Sequence, residues 1–357
     1  MKETFNKPVQ ATTTLIQRLV KLYHPETLRE KGWLWASGLG SVTLIVILYL
    51  IGVYWSVEPN SFNVRDNTRA RLETLNLEPV TGSYTTATLL TAMETLLNKP
   101  GGYLSNDITP PSLFLDNIPS WEFGVLIQSR DLARSLRNDM SRSQSQSLEN
   151  TDLATAEPQF NYSNDSWIFP ATEGEYNKGI AALEAYLIDL SQTGKQNTQF
   201  FARADNLRDW LAVVEKRLGS LSQRLSASVG QERINTDLAG DPSAAQSTNT
   251  PDHVAVQTPW LEIDDVFYEA RGSTWALIHF LKAVEVDFQD ILKKKNALVS
   301  LRQIIRELEA TQESLSSPVV LNGGGFGVFA NYSLVMASYI SRANAAVIDL
   351  RSLLSQG

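Results

Sequence analysis

The chain of 357 residues contains no cysteine, and its three histidines, His24, His253 and His279, lie far apart in the sequence. The absence of cysteine excludes disulfides, thiolate nucleophiles, iron–sulfur clusters and zinc sites built on thiolates. The histidines form no pair at the spacing of metal ligands, and His279, within an apolar stretch, is expected to be a core residue. We therefore predict no metal ligand, no cofactor and no catalytic residue.

Positive charge is scarce outside the N-terminal segment. Residues 1–57 hold six basic and three acidic residues, whereas the rest of the chain holds 25 basic and 36 acidic residues. An acidic body repels the phosphate backbone of nucleic acids, so we expect no nucleic-acid partner. Hydrophobic residues make up 43% of the chain and charged residues 20%, which allows a folded core and excludes global disorder.

One long uncharged run, residues 32–57, dominates the N-terminal region. About 20 apolar residues cross the hydrocarbon layer of a bilayer, so this run is long enough with some tilt. Trp33 and Trp35 lie at its start and Trp55 lies near its end, as aromatic residues do at membrane interfaces. No small-x-small cleavage pattern follows the run, which predicts an uncleaved transmembrane helix embedded in the lipid bilayer.

The charges that flank this run set its predicted orientation. Three basic residues, Lys21, Arg29 and Lys31, lie just before the run, whereas acidic and basic residues are mixed after it. The positive-inside rule then places the N-terminus in the cytoplasm and the body in the periplasm of a Gram-negative cell, with the run in the inner membrane.

The predicted cytoplasmic tail covers residues 1–31. Apolar residues recur in it at helical spacing, at Leu15, Ile16, Leu19, Val20 and Tyr23. This spacing predicts a short amphipathic helix that rests on the membrane surface, with a frayed tail as the alternative.

The remainder of the chain carries the apolar spacing of helices. Steps of three and four residues occur in residues 85–99, 175–194, 198–228, 275–315 and 332–354. The fourth stretch is the longest, and its apolar stripe resumes beyond Lys295, which predicts one long helix. No succession of alternating strands and hairpin turns is present in the sequence. We predict an all-α fold, in which one N-terminal transmembrane helix precedes an elongated periplasmic helical bundle.

Breaks in the helical pattern divide the body. Residues 99–121 form a loop rich in proline, glycine and aromatic residues, and residues 231–259 are polar and poor in apolar side chains. The second segment has the composition of a disordered linker. We predict a first helical part over 58–230, the linker over 231–259, and a second helical part over 260–357 that packs on the first.

The stretch SRSQSQS, residues 141–147, has the composition of a linker but follows a helical pattern. Leu132, Leu136 and Met140 step by four residues, and no glycine or proline interrupts residues 125–157. We interpret the stretch as the continuation of a helix whose inward face has become small, with GSLSQRLSAS as its candidate neighbour. A disordered linker is the alternative.

The glycine cluster LNGGGFGVFANYS, residues 321–333, is the most distinctive short motif. It lacks the preceding strand and the lysine of a phosphate-binding loop. A tight turn between helices is the favoured interpretation, and a loop that meets a ligand or a partner is the alternative.

Two clusters of charged residues have both a structural and a functional interpretation. They are the acidic residues Glu262, Asp264, Asp265 and Glu269, and the arginines Arg130, Arg134 and Arg137, which share one helix face. For the acidic cluster, capping of a helix start is favoured over a carboxylate site for glycoside hydrolysis or Ca²⁺. For the arginines, ion pairs with a neighbouring helix are favoured over binding of an anionic glycan or lipid headgroup.

Several long motifs resemble one bacterial family. They are KPGGYLSNDITPP, DNIPSWEFGVLIQSRDLARSLRNDMSRSQSQS, QFFARADNLRDWL and RLGSLSQRLSASVG. With these motifs and its single N-terminal span, nearly the whole chain is similar to the proteobacterial family catalogued as domain of unknown function 2333. The resemblance implies an inner-membrane protein and assigns no activity, so it carries no catalytic residue over to this chain.

The anchor, the helical body and the lack of a catalytic pattern lead to one expected function and two alternatives. We expect a non-enzymatic structural or protein-interaction module of the cell envelope, with envelope proteins as partners and homo-oligomerisation left open. The first alternative is a periplasmic ligand-sensing module, which needs a separate output partner because the predicted cytoplasmic tail is short. The second is a peptidoglycan-acting enzyme, for which Glu122 and Glu173 are the candidate acids.

Overall fold

The computed structural model describes residues 17, 21–142, 149–192, 198–234, 253–315, 317 and 319–356. It consists of two compact units, Met1–Tyr54 and Trp55–Gly357. The second unit is called the body.

Helices account for most of the described residues. In chain order they are α1 Pro25–Lys31, α2 Trp33–Trp55, α3 Val64–Thr74, α4 Ser83–Asn98, α5 Asn117–Ser135, α6 Thr151–Phe160, α7 Thr172–Ser191, α8 Ala204–Ser226, α9 Ile263–Asp287, α10 Gln289–Lys294, α11 Leu298–Glu309 and α12 Tyr332–Ser355. Two short strands, β1 Gln231–Ile234 and β2 His253–Val256, lie between α8 and α9. The predicted all-α class with one long apolar helix near the N-terminus is confirmed.

The apolar run of the first unit forms α2. Among the described residues, α2 is the one helix long and apolar enough to cross a membrane. Most of its large apolar side chains are exposed, which matches what the hydrocarbon layer of a bilayer requires. The amphipathic helix expected between Leu15 and Tyr23 falls largely outside the described residues.

The core of the body is built around α5 and α9, which pack side by side. Ser120 Oγ donates to Asp265 at 2.9 Å, and Gln128 Nε2 donates to Ser273 Oγ at 3.4 Å. Both contacts join residues that are 145 positions apart. Because this separation is constant, the two helices run parallel and their N-terminal ends lie at the same end of the bundle.

Two glycines bring the backbones of α5 and α9 into direct contact. A Cβ atom at Gly124 would lie 2.1 Å from the carbonyl oxygen of Glu269, and one at Gly272 would lie 2.0 Å from that of Trp121. Neither distance is compatible with a side chain, so this seam requires glycine on both helices.

The predicted long helix over residues 275–315 is wrong, because the chain breaks twice. Helix α9 ends at Asp287, and Asn296 adopts a left-handed conformation with φ +52° before α11 begins. Helix α11 then runs back along α9, as shown by the Arg302–Glu285 ion pair at 2.8 Å. Both helices bury their apolar faces in one core, so the apolar spacing continues across the turn and conceals it.

The segment 231–259 is not wholly a disordered linker. Strands β1 and β2 pair antiparallel, with Gln231 opposite Val256 and Ile234 opposite His253. Main-chain hydrogen bonds hold the two strands together, and the side chains of the strands are mostly exposed. Because exposed side chains leave no apolar pattern, the strands could not be predicted from composition. Residues 235–252 lie outside the described residues.

The helix predicted to continue through SRSQSQS ends before it. A single π-helical turn, Leu136–Met140, follows α5, and Ser141 already lies in a turn. The side chain of Asn150 then caps the start of α6 by accepting from the amides of Asp152 and Leu153. Residues 143–148, which were expected to carry the small inward face, lie outside the described residues. The stretch GSLSQRLSAS belongs to α8 and the turn after it, and Ser222 donates to the carbonyl of Ala337 in α12.

Candidate functional site

The arginines of α5 and of the π-helical turn after it are engaged within the body. Arg130 Nε and Nη2 donate to the carbonyl oxygens of Phe160 and Tyr162, both at 2.7 Å. Arg137 pairs with Glu149 at 2.5 Å and with Glu157 at 2.7 Å. Arg134 lies 3.7 Å from Glu157 as well. The interpretation of this stripe as an ion-paired face is therefore confirmed for Arg134 and Arg137, and Arg130 serves main-chain carbonyls instead.

The acidic cluster at the start of α9 does not converge on a site. Asp264 and Asp265 lie in the first turn, where the helix dipole favours negative charge, but Glu262 at the cap position makes no side-chain cap bond. Asp265 accepts from Ser120, and Glu269 is paired with Arg224 at 2.5 Å. Among the described residues, no group of three or more His, Asp or Glu side chains is arranged to hold a metal ion.

Glu122 ties the loop before α5 to the core. Its side chain is inaccessible to solvent, and Lys99 Nζ lies 2.5 Å from one carboxylate oxygen. The amides of Leu104 and Ser105 donate to the same carboxylate at 2.9 and 2.8 Å. Burial raises the pKa of Glu122, while the Lys99 ammonium and the hydrogen bonds lower it. The carboxylate is therefore occupied as a structural anchor.

Glu173, the other candidate acid, is also engaged. Asn106 Nδ2 donates to it at 2.8 Å and to the carbonyl of Ser166 at 2.9 Å. The two candidate acids therefore hold the loops at 99–116 and 161–171 in place through these hydrogen bonds.

A buried arginine holds the first residues of the body. Arg271 Nε donates to both carboxylate oxygens of Glu58 at 2.9 and 3.0 Å, and its Nη2 donates at 2.7 Å. Arg271 Nη1 also donates to the carbonyls of Thr311 and Glu313. This pair was not predicted, because its partners are 213 residues apart. No local pattern around Arg271 marks it as a buried anchor, because polar residues such as Glu269, Ser273 and Thr274 flank it in the sequence.

His279 forms a second anchor for the same segment. Its Nε2 accepts from the amide of Phe62 at 3.0 Å, its Nδ1 donates to the carbonyl of Trp275 at 2.7 Å, and its ring stacks on Phe62 at 4.0 Å between centroids. Burial lowers the pKa of His279 to about 4. The imidazole is therefore neutral at neutral pH with its proton on Nδ1, and the expectation of a core histidine is confirmed.

A cavity of about 190 Å³ lies beside Arg271. Its wall is mostly apolar and includes Phe267, Leu315, Met336 and Tyr339. The guanidinium of Arg271 brings charge to this wall but is already held by Glu58 and two carbonyls. The cavity can accept a small apolar or amphipathic molecule.

The glycine cluster forms a closed loop with a fixed base. Gly323 N donates to the carbonyl of Ala330 at 3.0 Å, and Tyr332 N donates to that of Leu321 at 2.8 Å. Asn331 donates to the carbonyl of Gly323 at 2.6 Å and caps α12 by accepting from the amide of Leu334 at 2.8 Å. The predicted tight turn is therefore a longer loop, because α11 ends at Glu309 and α12 begins only at Tyr332.

The tip of this glycine loop, residues 321–331, carries exposed apolar side chains. Phe326 is 109% exposed, Val328 98% and Phe329 72%. Large apolar side chains are rarely grouped in the solvent without a partner. Because hydrogen bonds fix the base of the loop, it presents these three side chains in a defined place.

Comparison with known proteins identifies the family of the chain. No curated protein and no solved structure is detectably similar to it. The family model described as an uncharacterized protein conserved in bacteria, domain of unknown function 2333, matches residues 28–357, which is nearly the whole chain. The chain therefore belongs to this bacterial family.

Proposed function

We propose that the protein is a single-pass protein of the bacterial inner membrane, with its N-terminus in the cytoplasm and its helical body in the periplasm. There it serves as a non-enzymatic interaction module of the cell envelope, and it binds a partner protein through the glycine loop. The observation that carries this proposal is the group of exposed apolar side chains, Phe326, Val328 and Phe329, on a loop with a fixed base.

The chemistry of the loop fits a protein partner. Burial of one phenylalanine or valine side chain contributes about 1.5–3 kcal/mol, so three such side chains supply enough free energy for a specific contact. Glycines on both sides of Phe326 leave room for another backbone to approach closely. The fixed base reduces the conformational entropy that is lost on binding.

Two observations support the membrane anchor and its orientation. Helix α2 has the length and composition of a membrane-spanning helix. The three basic residues just before it favour a cytoplasmic N-terminus. The non-enzymatic role is supported by the engagement of Glu122 and Glu173 in hydrogen bonds inside the body.

A photo-crosslinking amino acid at position 326, introduced in the full-length protein in intact cells, tests the docking site. We expect one or a few discrete protein adducts at Phe326. Val299 is the matched control, because it is apolar and 77% exposed but lies on α11, away from the loop. Equal patterns at positions 326 and 299, or no protein adduct at 326, would contradict the docking role.

A second candidate function is ligand sensing, which the cavity beside Arg271 favours. A ligand in the cavity would lie next to the residue that holds Glu58, and so could change the anchoring of the first body residues. The full-length protein in nanodiscs should then gain thermal stability with small apolar or amphipathic molecules, and Met336→Trp, which fills the cavity, should remove that gain. The absence of thermal stabilisation by any of these molecules would argue against ligand sensing.

A further inference from the structure

A second apolar surface surrounds the N-terminal ends of α5 and α9. A 3₁₀ turn, Ser112–Phe114, leads into α5, and another, Trp260–Glu262, leads into α9. Because the two helices run parallel, both turns lie at the same end of the bundle. Four large apolar side chains project from these turns into solvent, with exposures of 60% for Leu113, 76% for Phe114, 80% for Trp260 and 75% for Leu261.

A third segment, the loop at residues 161–171, lies at the same end. Tyr103 Oη donates to the carbonyl of Asn164 at 3.0 Å and Asn106 Nδ2 to that of Ser166 at 2.9 Å, which joins this loop to the one before α5. Its tip exposes Trp167 by 49%, Ile168 by 52% and Phe169 by 91%. Three separate parts of the chain therefore each place at least two bulky apolar side chains at one end of the bundle.

Phe169 is held there in a costly conformation. Its φ is +52°, in the left-handed region that bulky side chains seldom adopt. Such backbone strain persists only where the surrounding structure imposes it, and it is concentrated at functional sites.

The body begins at this same end. Trp55, its first residue, lies against Gly101, where a Cβ atom would come within 2.7 Å of the indole ring. From there the chain passes Glu58 at Arg271 and Phe62 at His279, which are successively farther along α9. The chain therefore runs from the end with the exposed aromatic residues towards the opposite end.

The opposite end of the bundle has a different surface. Val80 and Val299 are aliphatic and exposed there: Val80 precedes Gly82, whose amide donates to Asp287 at the end of α9, and Val299 lies at the start of α11.

We propose that the six residues Leu113, Phe114, Ile168, Phe169, Trp260 and Leu261, here called the aromatic end, rest in the interfacial layer of the membrane that α2 crosses. This inference relies on the proposed membrane anchor but not on the docking role of the glycine loop. Tryptophan and phenylalanine favour the boundary between headgroups and acyl chains. The chain enters the body at this same end, because Trp55, the last residue of α2, lies against Gly101 in the loop before α5.

Charge selects the kind of lipid. The segments 100–120, 161–171 and 260–265 contain no lysine or arginine but several carboxylates, including the exposed Asp116, Asp165 and Glu262. Negative charge around the aromatic end opposes contact with anionic headgroups. The surface is therefore suited to zwitterionic lipids and binds by burial of apolar side chains rather than by attraction between charges.

The test uses the full-length protein in nanodiscs of zwitterionic lipid that contains a photoactivatable diazirine on its acyl chain. We expect lipid adducts, mapped by mass spectrometry, at residues 113–114, 168–169 and 260–261 in addition to α2, and none at Val299. Adducts in α2 without adducts in these segments would overturn the proposed membrane contact of the aromatic end and leave the proposed anchor intact. The absence of adducts in α2 would overturn the anchor as well.

Substitutions sharpen this test. The triple variant Phe114→Asp, Phe169→Asp, Leu261→Asp changes only exposed side chains, and we expect it to lower labelling of the three segments by about tenfold or more while α2 stays labelled. Val299→Asp is the matched control and should change nothing. Unchanged labelling in the triple variant, or capture of a protein instead of lipid by crosslinkers at positions 114, 169 and 261 in cells, would overturn the inference. An increase of anionic lipid should reduce labelling, and enhanced labelling would contradict the charge argument.

Discussion

Arg271 and Glu58 form an ion pair that joins the first residues of the body to the middle of its longest helix. The guanidinium donates three hydrogen bonds to the carboxylate, at 2.7 to 3.0 Å, and two more to main-chain carbonyls. The Arg271 side chain is 8% exposed and that of Glu58 is 20% exposed. The segment that follows α2 is thus bound to the core from its fourth body residue onwards.

Replacement of Arg271 by methionine should destabilise the body strongly. It leaves the Glu58 carboxylate and two carbonyls without their donor, and removal of one member of a buried pair costs about 3–5 kcal/mol. Chemical unfolding of the full-length protein, followed by circular dichroism, measures this change. Arg224→Ala, which breaks the more exposed pair with Glu269, is the control and should cost about 1 kcal/mol or less. Equal effects of the two variants would show that the Arg271 pair is not an anchor.

His279 should make the stability of the body depend on pH. Its pKa is about 4 in the folded protein and 6.5 in the unfolded chain, so the unfolded chain binds more protons between these values. The contribution of His279 to the free energy of unfolding is fully present above pH 6.5. It falls by about 3 kcal/mol in total as the pH falls towards 4.

The difference between wild type and His279→Gln isolates this contribution. Burial raises the pKa of Asp287 to about 6, so that carboxyl changes stability in the opposite direction over part of the same range. Asp287 is present in both proteins, and its contribution cancels in the difference. We expect the advantage of wild type in free energy of unfolding to shrink between pH 6.5 and pH 4. A constant advantage would contradict the neutral, hydrogen-bonded state of His279.

Because the backbones of α5 and α9 are in contact at Gly124, we expect substitution of this residue to destabilise the body. Gly124→Ala forces a methyl group to within 2.1 Å of a carbonyl oxygen of α9, so the helices must separate. Overpacking of this kind costs about 1–3 kcal/mol or more. Gly174→Ala in α7 is the control, since a Cβ atom at Gly174 would meet no other atom within 4 Å. The control substitution should stabilise the protein by up to about 1 kcal/mol. The two variants should therefore shift the thermal unfolding temperature in opposite directions.

Substitution of Glu122, which forms a buried pair with Lys99, distinguishes a structural role of this residue from an enzymatic one. Glu122→Gln leaves the Lys99 ammonium buried without its counter-charge, and we expect a loss of about 3–5 kcal/mol in unfolding free energy. Purified wild-type protein is expected to release no fragments from murein. Digestion of murein by the wild type that is abolished in a folded Glu122→Gln variant would contradict the non-enzymatic proposal.

Much of the secondary structure could be predicted from apolar spacing, because the long helices of the body bury apolar side chains in a common core. The stripes around Leu207 and Leu218, for example, coincide with buried positions of α8. The interruptions could not be predicted in the same way. At Asn296 the chain reverses while the apolar pattern continues, and β1 and β2 are held by main-chain hydrogen bonds that leave no apolar pattern.

The functional surfaces were harder to foresee than the helices. The pairing of Arg271 with Glu58 depends on how distant segments pack, and no local spacing encodes it. The aromatic end likewise combines residues 113–114 and 260–261, which lie at one end because α5 and α9 run parallel, with residues 168–169, whose loop is tied to the one before α5 by hydrogen bonds. The glycine loop was visible as a motif, but the exposure of Phe326 required the structure.

The proposed periplasmic role of the body depends on the orientation of the chain in the membrane. This orientation can be measured directly, because the sequence contains no cysteine. Single cysteines at Thr4 and at the exposed Ser355 can be labelled in intact spheroplasts with a maleimide that does not cross membranes. We expect labelling of Ser355→Cys without permeabilisation, and labelling of Thr4→Cys only after it. Labelling of Thr4→Cys alone in intact spheroplasts, or of neither residue until the membrane is opened, would contradict a periplasmic body.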